Sequence, residues 1–261
     1  MAGIAGRVAL ITGTASGIGK AGAEYFAQQG ATVVCVDMLA EANAETVHEI
    51  KASGGTATAV MADVRKSTQV QTMVEAALKA YGRIDILWNN AGVFQNPSYV
   101  YVEETDEEDW DRVLDTNLKG CFLCTKYVVP VMKRQGKGSI LMTASLSGLT
   151  GHYPGLVAYH ASKGGLVVMT KMLAVELAPF NIRVNAIAPA MVNTRAAGSG
   201  PQARPATVPR PPWTYPYGEA NDTTRKAEPV EVARMMAYLA SDEAGPLTGS
   251  IVTLDGGMSA R

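Results

Sequence analysis

The feature that most constrains this chain is an alternation that runs through its 261 residues: short, uninterrupted apolar runs, each followed by a longer amphipathic stretch. Residues 7–12, 32–37, 56–62, 85–89, 138–143, 182–188 and 250–254 read as seven strands. Residues 17–30, 40–53, 67–81, 109–134 and 159–177 read as helices. Most of the strands are Val-, Ile- and Leu-rich throughout, without the in–out alternation of a half-exposed sheet, so both faces must be covered. Strands that alternate with helices in this way build a mostly parallel sheet in an α/β fold. No linker or compositional break divides the chain, and residues 1–261 are expected to form a single domain.

Composition removes several function classes. A formal net charge of -1 provides no basic surface for nucleic acid or anionic membrane. No apolar run approaches the roughly 20 residues of a membrane span, and residues 1–8 lack the apolar segment of a signal peptide. A soluble, cytoplasmic protein is expected. Of three cysteines, Cys121 and Cys124 form a CxxC, but no second pair or His pair accompanies it. Both are expected to pack in the core, and no metal is expected. The carboxylate run at 103–109 reads as a helix start, with Thr105 and Glu108 at capping-box spacing. Residues 198–218 carry Pro201, Pro205, Pro209, Pro211, Pro212 and Pro216, which exclude an ordinary helix or central strand. A loop of that length in a compact domain is a functional lid or a disordered segment.

The first strand runs into Gly13, Ser16, Gly17, Ile18 and Gly19 at the mouth of a helix. Such a turn aims backbone N–H groups and a helix dipole at an anion, and its glycines let the backbone approach a pyrophosphate. The spacing is G-x-x-x-G-x-G, and its strand–turn–helix setting points to a dinucleotide. Asp37 ends the second strand about 20 residues on, where a carboxylate accepts from ribose hydroxyls and repels a 2′-phosphate. Positions 38–40 carry no basic residue, so NAD(H) is the expected cofactor.

Tyr159 and Lys163 lie four residues apart on one helix face. A phenol with a pKa of about 10 is a poor base at neutrality, and a nearby cation lowers it. Ser145 follows the fifth strand, on the side where parallel sheets bind ligands. Together with Asn89, Asn90, Ala91, Gly92 and Asn117, these residues resemble the short-chain dehydrogenase/reductase family, from Gly6 to Gly257. The resemblance implies a Rossmann-like, doubly wound, seven-stranded sheet. It implies Tyr159 as proton donor or acceptor and Ser145 as the group orienting the substrate oxygen. Lys163 would hold the nicotinamide ribose and depress the Tyr159 pKa, while the Asn117 backbone would keep a water leading to Lys163. Asp63 and Val64 would meet the adenine; Asn90, Ala91 and Gly92 the adenosine ribose; Pro189, Val192 and Thr194 the nicotinamide end. Ala190 stands where that family usually has glycine.

The family places a substrate lid after Thr194, here at about 195–226, with Arg195, Arg204, Arg210, Trp213, Tyr215 and Tyr217. Phe94, Leu146, His152, Tyr153 and Leu156 are further candidates for the pocket wall; His160 is given little catalytic weight. The expected function is hydride transfer between NAD(H) and a secondary alcohol or ketone, hydrophobic or aryl. A 3-oxoacyl carrier-protein reductase, a dehydratase or epimerase with bound nicotinamide, and a non-catalytic NAD-binding protein are the alternatives. The helix from Tyr159 is apolar around much of its circumference, which with the family's habit suggests a homotetramer, or at least a dimer.

Overall fold

All seven strands form where the apolar runs lie. They are β1 (Val8–Thr12), β2 (Thr32–Asp37), β3 (Thr56–Met61), β4 (Ile86–Asn89), β5 (Gly138–Thr143), β6 (Ile182–Pro189) and β7 (Ile251–Leu254). The computed structural model describes residues 3–96, 100–151, 154–194 and 226–260. Every pairing is parallel and the order is β3-β2-β1-β4-β5-β6-β7, a doubly wound, Rossmann-like sheet. Winding reverses between β1 and β4, which opens a crevice at the carboxyl ends of the strands. Thr12, Asp37, Asn89, Thr143 and Pro189 all stand along that edge.

The helices are α1 (Gly17–Gln28), α2 (Ala40–Ala52), α3 (Ser67–Tyr81), α4 (Glu107–Leu114), α5 (Gly120–Gln135), α6 (Val157–Leu177) and α7 (Pro229–Ala240). One apolar core joins α1, α2 and α7 to one sheet face; a second joins α3, α5 and α6 to the other. Trp88 of β4 is fully buried against Phe26 of α1, their ring centroids 5.4 Å apart. Gly22 makes room for it: a Cβ there would lie 2.3 Å from the indole. Cys121 and Cys124 lie in the second core, where burial pushes both thiols up in pKa.

The expected long helix at 109–134 forms, α4 and α5 running on through a π-turn at Asp115–Lys119, a widening of the kind that often marks functional sites. Two local expectations are corrected. The cap is Asp106, which accepts from the Glu108 N–H at 3.2 Å. Thr105 instead donates to the Tyr101 carbonyl and closes the preceding turn; Asp is as good a cap as Thr, and starting one residue later leaves Glu107, Glu108 and Asp109 in the first turn. Helix α7 has no counterpart among the expected elements.

Candidate active site

The crevice is a cavity of about 920 Å³. It runs from Asp37, Asp63 and Val64 across the glycine turn to Ser145 and Tyr159, and ends at Pro189, Val192 and Thr194. Gly13, Ser16, Gly17, Ile18, Asn90, Ala91, Gly92, Phe94, Leu156 and Lys163 also line it.

At one end the turn is shaped for a pyrophosphate. Gly13 and Gly17 take φ of 76° and 57°, a region closed to most side chains. A Cβ on Gly13 would lie 2.9 Å from Ala91 Cα, and one on Gly19 would lie 1.9 Å from the Gly13 carbonyl oxygen. Gly19 therefore packs beneath the turn and does not line the cavity. No side chain caps the first turn of α1, so its N–H groups remain for an anion. Asn90 holds the turn through Nδ2, which donates to the Thr12 carbonyl at 3.0 Å. Thr12 Oγ1 accepts from both the Asn90 and Ala91 N–H groups at 3.0 Å. Beneath, buried Thr14 donates to Asn43 Oδ1 at 2.6 Å and tethers the turn to α2.

Asp37 accepts from the Ala15 N–H at 3.0 Å and the Leu39 N–H at 2.9 Å, which fixes its carboxylate at the cavity rim. The exposed side chains beside it, Met38 and Leu39, are apolar. Asp63 is gripped by Arg65, whose Nη2 donates to Oδ2 at 2.7 Å; that bond holds the Asp63 carboxyl below its ordinary range. Sequence reading missed Arg65, a cation on the cavity wall already committed to a carboxylate. These features suit the adenosine half of a dinucleotide without a 2′-phosphate.

The other end gathers Ser145, Tyr159 and Lys163. Ser145, buried just past β5, accepts the Ser147 N–H at 3.1 Å, and its hydroxyl lies near enough to the Tyr159 phenol to favour the anion. Lys163 Nζ donates to the Thr143 carbonyl at 2.7 Å and lies 5.6 Å from the centroid of the Tyr159 ring. Burial lowers the Lys163 pKa to about 8. Burial also pushes Tyr159 up to about 12. At the phenol, desolvation outweighs the opposing influence of Ser145.

Asn117 stands on the π-turn, fully buried behind the cavity wall. Its Oδ1 accepts the Val93 N–H at 2.7 Å while Nδ2 donates to the Val93 carbonyl at 2.9 Å, a two-point clamp. Its own carbonyl accepts from the Cys121 thiol at 3.1 Å. Gly92 fits against this corner, where a Cβ would lie 3.2 Å from Asn117 Oδ1 and 3.6 Å from Lys163 Nζ. Ala190 needs no glycine geometry: Asn181 is the only described non-glycine residue at positive φ, and the Ala190 N–H donates to Leu254 at 3.2 Å.

Leu146 is buried away from the cavity; the tight turn after Ser145 sends Ser147 to the wall instead. His160 turns back along α6, its Nδ1 at 2.8 Å from the Leu156 carbonyl oxygen. His152, Tyr153, Arg195, Arg204, Arg210, Trp213, Tyr215 and Tyr217 lie outside the described residues. The ends of the proline-rich excursion do meet at the cavity. Val192 pairs with Ala227, and the Asn193 N–H donates to the Ala227 carbonyl at 2.8 Å. Sequence reading passed over Thr12 and Thr143, although both are polar residues ending apolar strands at the edge where ligands bind. Among the described residues no group of three His, Cys, Asp or Glu side chains could hold a metal.

A family model described as enoyl-(acyl carrier protein) reductase matches residues 13–259. A 3-oxoacyl-(acyl-carrier-protein) reductase of Thermotoga maritima is 42% identical over 254 residues, 97% of this chain and 98% of that protein. A cyclopentanol dehydrogenase of a Comamonas species is 36% identical, covering 98% of each. Among solved structures, a 3-ketoacyl-(acyl-carrier-protein) reductase of Brucella melitensis complexed with NADH superimposes with a TM-score of 0.85. It is 36% identical and covers 98% of this chain and 99% of that one.

Proposed function

The chain belongs to the short-chain dehydrogenase/reductase family of oxidoreductases, and from that premise we propose that it is an NAD(H)-dependent enzyme of secondary alcohols and ketones, hydrophobic or aryl. The chain is then one catalytic domain with a substrate lid at about 195–226. The observation that carries this reading is the convergence of Ser145, Tyr159 and Lys163 on the cavity that holds the glycine turn and Asp37 at its far end.

Bound NAD(H) would supply or accept the hydride; Gly13, Ser16, Gly17, Ile18, Asp37, Asp63, Val64, Asn90, Ala91, Gly92, Pro189, Val192 and Thr194 are the residues to hold it. At neutral pH a phenol raised to about 12 is protonated, the form needed to donate to a carbonyl oxygen. The Ser145 hydroxyl, beside that phenol on the cavity wall, is placed to share the same oxygen. In the oxidative direction Tyr159 must take a proton, and its anion is then stabilised by Ser145 and by the Lys163 ammonium. Thr143, whose carbonyl anchors Lys163, ties that cation to β5. Phe94 and Leu156 give the pocket an apolar wall that suits an aryl or aliphatic substrate.

The test is a panel of secondary alcohols with NAD and with NADP. We expect NAD to be favoured by about 100-fold in kcat/KM, roughly 2.7 kcal/mol, because Asp37 repels a 2′-phosphate. Asp37→Asn keeps an acceptor for the Ala15 N–H and removes the charge, so the preference should shrink to ~10-fold or less. A wild type that prefers NADP would overturn the cofactor assignment. A second reading, a 3-oxoacyl carrier-protein reductase, is favoured by the 42% identity to such an enzyme; turnover of 3-oxoacyl thioesters well above the alcohol panel would select it.

No helix among the described residues is long and apolar enough to cross a membrane, and a cytoplasmic location is proposed with the function. The assembly is proposed to be a homotetramer. Val168, Met172 and Val175 form one stripe along α6 at 67%, 51% and 78% exposure, a spacing that places them on one face. Light scattering should give a species of four chains, and Val175→Asp a smaller one; a wild-type monomer at micromolar concentration would count against it.

A further inference from the structure

The carboxylate run at 103–109 holds one buried residue. Asp109 is buried, at 8% exposure, and lies within the first turn of α4. Its Oδ2 accepts the Asn96 N–H at 2.8 Å and its Oδ1 accepts Arg112 Nε at 2.8 Å. Arg112 in turn donates through Nη2 to the Phe94 carbonyl at 2.7 Å. Residues 93–96 belong to no helix or strand, so their backbone groups depend on side chains from elsewhere. Asn117 clamps Val93, Arg112 holds Phe94, Asp109 holds Asn96, and buried Gln95 accepts the Ala158 N–H at 3.1 Å. Inside that frame the Phe94 ring is stacked on the Tyr159 ring, with centroids 4.4 Å apart and planes at 20°.

We propose that the Asp109–Arg112 pair positions Tyr159 for catalysis, acting through the backbone and ring of Phe94. This rests on Tyr159 being the proton donor of the proposed reaction. Offset-stacked rings attract each other and resist tilting, so Phe94 defines the plane in which the phenol can lie. Phe94 itself has no rigid element beneath it, and the bond from Arg112 supplies one. A charge-assisted bond anchored on a buried carboxylate is stiffer than a neutral one in a loop. Arg112 and Phe94 both line the cavity, yet Arg112 is spent on Asp109 and a carbonyl, which suits a strut better than a substrate ligand.

The test uses the full-length enzyme with NAD and two alcohols, one neutral and aryl, the other carrying a carboxylate. We expect Arg112→Met to lower kcat about 10-fold on both and Phe94→Ala up to about 100-fold, since small misplacements of a reacting group are costly. KM for NAD should change less than ~2-fold. Phe94→Tyr keeps the stack and should retain most of kcat. The double variant should be no worse than Phe94→Ala alone, because Arg112 acts through Phe94.

A readout free of turnover is NMR of labelled tyrosine, with the Tyr159 signal identified by Tyr159→Phe. The ring-current shift from Phe94 should vanish in Phe94→Ala and shrink in Arg112→Met. Should Arg112→Met fail to fold, Asp109→Asn weakens the same anchor while keeping its shape and should shrink the shift likewise. Multiplicative losses in the double variant, an unchanged ring-current shift, or a loss confined to KM for the carboxylated alcohol would overturn the proposal; the last would make Arg112 a substrate ligand. An active Tyr159→Phe would overturn the function assigned to the site, while the NMR result would still decide whether Arg112 positions the ring.

Discussion

Tyr159→Phe is expected to lose about 1,000-fold in kcat while binding NAD as the parent does, since a positioned general acid–base contributes on the order of 100- to 10,000-fold. The substitution removes one oxygen and leaves the ring. Phenylalanine can still lie against Phe94 and fill the same buried volume. Ser145 still accepts the Ser147 N–H. Stability should therefore stay within ~1 kcal/mol, about the net worth of one hydrogen bond. Calorimetry of NAD binding beside steady-state kinetics on the alcohol panel separates the two effects. Retention of more than about a tenth of kcat would remove Tyr159 from the chemistry, because no proton relay of this type is worth so little.

Lys163→Met should move activity and stability in opposite directions. Burial lowers the Lys163 pKa from 10.5 to about 8, equivalent to roughly 3 kcal/mol against the charged form in the folded chain. Below pH 8 both folded and unfolded chains carry the proton, and that cost is present in full. Between pH 8 and 10.5 the folded chain sheds its proton first, so wild-type stability gains from this group as pH rises; above 10.5 the cost is gone. Methionine avoids the cost at every pH but abandons the Thr143 carbonyl, a loss of about 1–2 kcal/mol. A net gain of about 1 kcal/mol is expected at pH 7, shrinking and then reversing above pH 8. Catalysis should fall by at least about 100-fold, since the cation that stabilises the Tyr159 anion is gone. Urea denaturation at pH 7 and pH 10 reads the first effect and kcat the second. A variant less stable than wild type at pH 7 would mean that the ammonium is better solvated than its burial implies.

Much of this was legible in the residues. Most of the seven strands are continuous apolar runs too short for helices, the pattern of a covered parallel sheet; β3, at the sheet edge, is half exposed. The glycine turn, Asp37, Ser145, Tyr159 and Lys163 sit at strand or helix ends, so their gathering at one edge followed from the topology. Helix α7 escaped because it follows the proline-rich stretch; its signals were local, with Pro229 at the first position and Glu231 reaching back to the Glu228 N–H. Spacing on a helix reports which residues are neighbours; it does not report that Lys163 turns to the Thr143 carbonyl or that Phe94 stacks on the Tyr159 ring. The Asp109–Arg112–Phe94 chain was illegible for a similar reason: it joins a helix to a loop through backbone groups whose identity no side chain reveals.

The pairing of Val192 with Ala227 bears on how such a chain can change. Because Asn193 is hydrogen-bonded to Ala227, on either side of residues 195–225, the strands, the glycine turn, Ser145, Tyr159 and Lys163 are all held by contacts outside that interval. On the proposed function, much of what chooses a substrate is then written apart from what holds the cofactor.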